Sequence, residues 1–239
     1  MKSIKELSVY RLPSTAKSEV GSRKSEDRFK NGFTLVEIIV VMAIVAIVGL
    51  IMVVIFTNTL RGSNKAQILS VIKQNGQAVL ENMDKTVRSA DHLVCPALDG
   101  NSSNTAVVVK NGAYIRYRIS KMSEYAAGRV PPACQKNGCI LQDSPTKDID
   151  PGTGQLETDS AFILRVCNST SLMSSANILT DTNSQTGVAV PGGFFTLSKQ
   201  AGFKAAVTVE FELQPGADAL SVVASQIDSV SFQTTIELR

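Results

Sequence analysis

The strongest pattern in the chain is a long run without charge near its N-terminus. Residues 38–60 are 23 consecutive uncharged residues, nearly all Ile, Val, Ala, Leu and Met as far as Phe56. A helix of this length, at about 1.5 Å per residue, crosses a hydrocarbon core about 30 Å thick. The alternative, a buried core helix, seldom runs beyond about five turns without a polar face. The pattern therefore predicts a membrane-spanning helix.

Beyond this run, apolar residues recur at helical spacing. The stripe consists of Ile68, Ile72, Val79, Met83, Val87 and Ala90. Because these steps are multiples of three to four residues and no proline occurs in residues 33–95, the pattern predicts one helix over 33–91. Gly62 is the expected place for a bend. A second interpretation stays open, in which Gly62 ends the membrane helix and another helix begins.

The rest of the chain shows patterns typical of strands. Residues 106–119 predict a hairpin, because Asn111-Gly112 supplies the positive φ angles that a type I′ turn needs. Apolar and polar positions alternate along 207–213 and 230–238, which predicts a terminal pair of strands. The short apolar run 162–166 is interpreted as another strand.

Two stretches rich in turn-forming residues, 142–160 and 168–193, predict surface loops. Together the elements predict an α+β fold, in which the long N-terminal helix, a transmembrane half followed by an amphipathic half, packs on an antiparallel β-sheet.

Composition and charge refine this picture. With 44% hydrophobic residues and a net charge of +3, the chain can build a packed core. The charge is uneven, because residues 1–32 carry eight basic and four acidic side chains, net +4, and the remainder carries 16 and 17, net −1. A basic segment ahead of an apolar helix predicts an N-terminus in the cytoplasm and residues beyond about 60 outside it.

Catalytic motifs are missing from the sequence. There is no GxSxG, Walker A or dinucleotide fingerprint, and the single histidine, His92, is interpreted as a surface residue at the end of the helix. Aromatic residues make up only 5% and Trp is absent, which disfavours aromatic stacking platforms. We expect no enzymatic activity and no cofactor.

Glu37 does not suit a plain membrane anchor. It lies at the edge of the hydrocarbon, where an ionised carboxylate costs a few kcal/mol unless it finds a cation. The segment Lys30-Asn31-Gly32-Phe33-Thr34-Leu35-Val36-Glu37, followed by the apolar helix, resembles the class III signal of type IV pilins and of type II secretion pseudopilins. The resemblance covers residues 25 to about 60 closely and the rest only in architecture. A monomeric anchor that matches by chance is the alternative.

The resemblance implies a processing and assembly mechanism. A prepilin peptidase would cut after Gly32 and methylate the new amino terminus at Phe33, and Glu37 would pair with the terminal amine of a neighbouring subunit. Cutting ahead of the apolar segment creates an ammonium at the membrane edge that can satisfy a partner's carboxylate. The resemblance implies a leader over 1–32, a transmembrane and assembly helix over 33–60, an amphipathic stem helix over 61–95 and an extracytoplasmic β-rich domain over 96–239.

The implied function is structural. The mature chain, residues 33–239, would have 207 residues, which is long for a major pilin. Its terminal strand, ending Ile236-Glu237-Leu238-Arg239, resembles that of the larger minor subunits of a pilus or pseudopilus, J-like or W-like. Its expected partners are other pilin or pseudopilin subunits, the prepilin peptidase, the inner-membrane assembly platform and membrane lipid. We expect a single-pass protein of the cell membrane that then enters the filament.

A binding module mounted on a pilin helix, either a DNA-uptake receptor or an adhesin, is the alternative function. One local cluster holds six cations and a single acid, Glu124, and its cations are Lys110, Arg116, Arg118, Lys121, Arg129 and Lys136. Such a cluster could neutralise nucleic-acid phosphates. Alternating Arg on a strand is equally typical of a solvated sheet face, so both interpretations stay open.

Outside the cytoplasm the four cysteines can form disulfides, with three connectivities. Cys134 and Cys139 bracket a short loop and are the first pairing to test, which leaves Cys95 to meet Cys167. A zinc site is the competing hypothesis, but the sequence has no CxxC pair.

Calcium is a further hypothesis. Some pseudopilins have an acidic loop that binds Ca²⁺, and Asp148, Asp150 and Asp159 resemble it. Gly152 and Thr153 stand where an acidic ligand and the turn glycine are expected, so a solvated loop without metal is the prediction.

Overall fold

A computed structural model describes residues 33–124, 128–149, 154–168, 171–199, 201–220 and 224–238. The chain divides into two compact units, Met1–Ile51 and Met52–Arg239. In the first unit the described residues are Phe33, Thr34 and the beginning of helix α1, Leu35–Arg88. The remainder of α1 and the described strands belong to the second unit.

Helix α1 confirms the predicted helix and ends three residues before its predicted end. It continues through Gly62, so the interpretation with two separate helices is wrong. After Arg88 the chain turns into strand β1, His92–Cys95. His92 is therefore an exposed residue at the start of a strand, not at a helix end.

The strands form two antiparallel sheets in place of the single sheet expected. The first has the order β1-β3-β4-β5-β6, with β3 Thr105–Lys110, β4 Ala113–Ser120, β5 Cys139–Asp143 and β6 Asn177–Ile178. The second has the order β2-β7-β8-β9, with β2 Ser102–Ser103, β7 Val188–Ser198, β8 Ala206–Pro215 and β9 Val230–Glu237. The α+β class, a long N-terminal helix packed on antiparallel sheets, is confirmed.

The predicted hairpin is the β3–β4 pair. Asn111 and Gly112 have φ angles of 52° and 75°, as a type I′ turn requires. The predicted terminal pair is also present, because β8 and β9 are antiparallel neighbours. The alternation in the sequence therefore identified β8 and β9, along which more buried and less buried side chains alternate.

The strand expected at 162–166 is wrong, because these residues lie in helix α2, Asp159–Cys167. The Thr158 side chain caps this helix by accepting a hydrogen bond from the Ala161 amide at 3.4 Å. Phe162 and Val166, four residues apart, are its buried face and pack on Val107 of β3. A short apolar run does not distinguish a strand from a helix by its period.

Both predicted loops are too long. The first two residues of the segment 142–160 belong to β5 and its last two belong to α2. The segment 168–193 contains β6 and the beginning of β7. Strand β7 passes through Pro191-Gly192-Gly193 with an irregular register next to β8. A Cβ on Gly193 would lie 2.7 Å from the Phe211 Cβ, so a glycine allows the two strands to approach here.

The core joins the second half of α1 to both sheets. The predicted stripe forms the helix side of this core, with Ile72, Val79, Met83, Val87 and Ala90 buried and Ile68 half-buried. Val108 and Ile119 from the first sheet and Phe211 from the second lie in the same cluster. Tyr117 is almost fully buried, and its hydroxyl donates a hydrogen bond to the Asn82 side chain of α1 at 3.0 Å.

Candidate functional site

The N-terminal end of α1 is the candidate functional site that the sequence singles out. Of its three predicted residues, Gly32 lies outside the described residues, whereas Phe33 and Glu37 are described and exposed. Phe33 precedes the helix and Glu37 lies in its first turn. Phe33 is 74% exposed, so its apolar ring and the Glu37 carboxylate are both exposed within five residues of the chain.

Thr34 lies immediately before helix α1 and caps its first turn. Its hydroxyl oxygen accepts a hydrogen bond from the Glu37 backbone amide at 3.2 Å, as an N-cap residue does. The first amides of a helix have no partner within the helix, and no water is available to them in hydrocarbon. The Thr34 hydroxyl therefore provides an acceptor for one of these amides, that of Glu37. We did not predict this role, although Thr followed three residues later by Glu is a recognisable start signal in the sequence.

The apolar part of α1 is uncovered. Among the described residues, α1 is the one helix long and apolar enough to cross a membrane, and its most apolar stretch has a mean hydropathy of 3.5. That stretch is 0% buried, whereas a core helix of a soluble protein would be mostly buried. Exposed side chains of this kind need lipid or another apolar surface to cover them.

The four cysteines form two disulfides. Cys95 at the end of β1 is bonded to Cys167 at the end of α2, and Cys134 is bonded to Cys139 at the start of β5. These are the two pairings that the sequence favours. Since none of the four is a free thiol, they do not form the thiolate zinc site considered as the alternative.

The basic cluster considered for DNA binding is not an exposed patch. Arg116 and Arg118 are each only 2% exposed, so they cannot reach nucleic-acid phosphates from the folded surface. Lys121 pairs with Glu124 at 3.6 Å, and Lys136 donates to Asp218 at 2.5 Å. Lys110 is half-buried at the end of β3 and Arg129 is exposed. The interpretation as a DNA patch centred on Arg116 and Arg118 is wrong, because strand alternation cannot show that a second layer covers this face.

The two buried arginines donate hydrogen bonds to residues that follow α2 in the chain. Arg116 forms a bidentate ion pair with Asp143 of β5 and also donates to the Leu172 carbonyl oxygen at 2.8 Å. Arg118 donates to the carbonyl oxygens of Asn168 and Ser171 at 2.8 and 2.6 Å. Both also donate to the Ser171 hydroxyl.

Burial, together with the neighbouring Arg116 guanidinium, lowers the pKa of Arg118 to about 10. Arg118 is therefore charged at neutral pH, its guanidinium donates to two carbonyl oxygens, and the nearby charge of Asp143 favours the charged form. No local signal in the sequence links Asp143 or Ser171 to these arginines, since the contacts span 27 to 55 residues.

Two of the three acidic residues considered for calcium are engaged by cations. Asp148 lies 3.3 Å from Arg165, and Asp159 lies 2.5 Å from Lys147. Asp150, Gly152 and Thr153 lie outside the described residues. Hydrogen bonding to Asp159 raises the pKa of Lys147, which keeps this cation charged beside the carboxylate.

Comparison with known proteins gives one match. A family model described as the prokaryotic N-terminal methylation motif matches residues 27–53, a range that includes Gly32, Phe33, Thr34 and Glu37. No curated protein and no solved structure matches the chain. The motif is consistent with a class III signal and supports a type IV pilin-like or pseudopilin precursor. It suggests a structural protein that is anchored in a membrane, interacts with other pilin subunits and is processed by a prepilin peptidase.

Proposed function

We propose that the chain is a minor structural subunit of a type IV pilus or type II secretion pseudopilus, J-like or W-like. The leader 1–32 directs insertion with the N-terminus in the cytoplasm and is removed by a prepilin peptidase after Gly32. Phe33 becomes the methylated N-terminus. The helix over 33–60 then leaves the membrane through the inner-membrane assembly platform and packs with the same helix of other subunits.

The observation that carries this proposal is an uncovered apolar helix that begins inside a methylation motif. A helix that stays in lipid needs only to be apolar, and Glu37 would cost a few kcal/mol there without providing a benefit. In a filament the same carboxylate has a cation available, the terminal amine of Phe33 on a neighbouring copy. The proposal therefore explains both the apolar run and the acid within it.

The amphipathic half of the helix and the disulfides support the same function. The apolar residues from Ile72 to Ala90 pack against the two sheets of the second unit. This unit therefore enters the filament together with the helix. Cys95–Cys167 and Cys134–Cys139 suit a domain outside the reducing cytoplasm.

Mass spectrometry of the membrane protein tests the proposal. Protein from cells that contain the prepilin peptidase should begin at Phe33 and carry one added methyl group. Protein from matched cells without the peptidase should retain residues 1–32. An intact N-terminal segment in the presence of the peptidase would show that the chain is not a pilin-like precursor.

A further inference from the structure

The first charges after the uncharged run are two cations one helical turn apart. Arg61 and Lys65 are both exposed and lie four residues apart on α1, so they project from the same face. Neither takes part in an ion pair within the described part of the chain. Side chains four residues apart are neighbours on a helix surface, so these two like charges repel each other, whereas a carboxylate at either position would attract the other cation. An anion bound between them would remove the repulsion.

The helix itself supplies no such anion. Between Glu37 and Glu81, α1 contains no acidic residue, and its charged residues there are Arg61, Lys65 and Lys73. Lys73 is two turns beyond Lys65, or about 12 Å further along the axis. Arg61 and Lys65 are therefore the cations nearest to the apolar run.

Hydrogen bonding in α1 indicates where the apolar environment ends. The Thr57 hydroxyl donates to the Val54 carbonyl oxygen at 3.0 Å, and the Thr59 hydroxyl donates to the Ile55 carbonyl oxygen at 2.9 Å. Hydroxyls bonded back to the helix in this way can lie in hydrocarbon without an unsatisfied donor. The span can therefore continue to Leu60, and Arg61 then lies at the level of the lipid headgroups.

We propose that Arg61 and Lys65 bind the phosphodiester of an anionic phospholipid headgroup, as in phosphatidylglycerol, at the membrane surface where the apolar span ends. The planar guanidinium of Arg61 can donate two parallel hydrogen bonds to phosphate oxygens, and Lys65 adds a second positive charge one turn away. Both side chains have aliphatic stems that can lie along the helix while their charged ends reach the headgroup. The inference rests on the membrane anchoring in the proposed function.

The test uses the full chain in nanodiscs made from equal amounts of phosphatidylethanolamine and phosphatidylglycerol. Native mass spectrometry would identify the lipids that stay bound when the disc is removed. Each cation at a membrane surface strengthens association with an anionic headgroup by roughly fivefold, so the retained lipid should be at least about fivefold enriched in phosphatidylglycerol. The double variant Arg61→Gln/Lys65→Gln shares the basic residues 1–32 with the unchanged chain, and its enrichment should be at least about fivefold lower.

A matched control removes two other exposed cations of the same helix. Lys73→Gln/Lys85→Gln loses the same charge, and we expect it to keep the enrichment because these residues lie further from the apolar run. Inorganic phosphate added to the buffer should also leave the enrichment unchanged, which separates a lipid site from a site for soluble phosphate.

Three results would overturn the inference: equal retention of both lipids by the unchanged protein, enrichment that is undiminished in Arg61→Gln/Lys65→Gln, or loss of enrichment with inorganic phosphate. A chain that fails to insert into the nanodiscs would instead contradict membrane anchoring, and with it the proposed function. Insertion without enrichment contradicts the lipid site alone.

Discussion

Gly76 is the residue at which packing most clearly overrides helix propensity. It is buried in α1, and a Cβ built on it would lie 2.2 Å from the Phe232 ring of β9. Glycine in a helix interior is about 1 kcal/mol less stabilising than alanine, so Gly76 lowers the intrinsic stability of the helix by about this amount. The gain is close contact between the helix and the outermost strand of the second sheet.

Gly76→Ala should lower the free energy of unfolding by about 1–3 kcal/mol, because the added methyl group must displace the Phe232 ring. The matched control is Gly62→Ala on the same helix, where nothing lies within 4 Å of the new Cβ. That control should be neutral or stabilising by up to about 1 kcal/mol. Urea unfolding of the full chain in detergent, followed by far-UV circular dichroism, measures both. Equal effects of the two substitutions would contradict the packing explanation.

Asp143 forms an ion pair with the buried guanidinium of Arg116, and its charge also favours the charged form of the neighbouring Arg118. Asp143→Asn leaves Arg116 and Arg118 buried without a carboxylate and should destabilise the second unit by about 3 kcal/mol. Asp84→Asn makes the same chemical change in the exposed ion pair with Arg88 and should leave stability nearly unchanged. The comparison uses the same denaturation measurement. If Asp143→Asn were as mild as Asp84→Asn, the two arginines would not depend on this carboxylate.

At the residue scale, the sequence predicted those roles that depend on near neighbours. Asn111-Gly112 identified its turn because the required backbone angles belong to the two residues themselves. Arg116 and Arg118 were misinterpreted because their exposure depends on contacts with Asn168, Ser171 and Leu172, which are 50 or more residues away in the sequence. Alternation along a strand shows which side chains share a face and not what covers that face.

The same limit holds at the scale of elements. Helix α1 and the β8–β9 pair were predictable because each shows one period over many residues. Helix α2 was missed because its nine residues make only about two and a half turns, and its cap, Thr158, lies within a segment that otherwise suits a loop. Strand β7 was not predicted, because Pro191-Gly192-Gly193, a typical turn signal, placed its beginning in the predicted loop 168–193, whereas this segment is an irregularity within a strand.

The two disulfides should differ in what they contribute to stability. Cys95 and Cys167 are 72 residues apart and join β1 to α2, whereas Cys134 and Cys139 are five residues apart. In the loop-entropy description, the longer link contributes about 4 kcal/mol and the shorter about 2 kcal/mol. Cys95→Ala/Cys167→Ala should therefore shift the urea midpoint further than Cys134→Ala/Cys139→Ala. An equal or reversed order would show that native packing, and not loop closure, dominates.

At the scale of the whole molecule, the net charge of +3 separates into two parts. Residues 1–32 contribute +4, and residues 33–239 contribute −1. In the proposed mature subunit, with its leader removed, no overall positive charge remains to attract nucleic acid, and the arginines expected to provide a local patch are buried. The structural role is thus the better supported of the two functions considered.

Within the proposed filament, Glu37→Ala should separate processing from assembly. Insertion and cleavage after Gly32 should continue, because neither requires a partner for the carboxylate. Incorporation should fall by at least about tenfold, since each 1.4 kcal/mol of lost interaction changes association tenfold. Glu81→Ala, an exposed acid near the other end of the same helix, is the matched control. Immunoblots of the membrane and sheared-filament fractions measure the ratio, and normal incorporation of Glu37→Ala would remove its assigned role.

In the proposed subunit, the disulfides also make the stability of the second unit depend on export from the cytoplasm. The free energy of unfolding of a single domain is about 5–15 kcal/mol, and these two bonds account for about 6 kcal/mol in the loop-entropy description. A copy whose second unit stays in a reducing compartment lacks both bonds, so its unfolded population is larger by orders of magnitude and open to proteases. Copies that fail to cross the membrane would then be removed before they could compete for places in a filament.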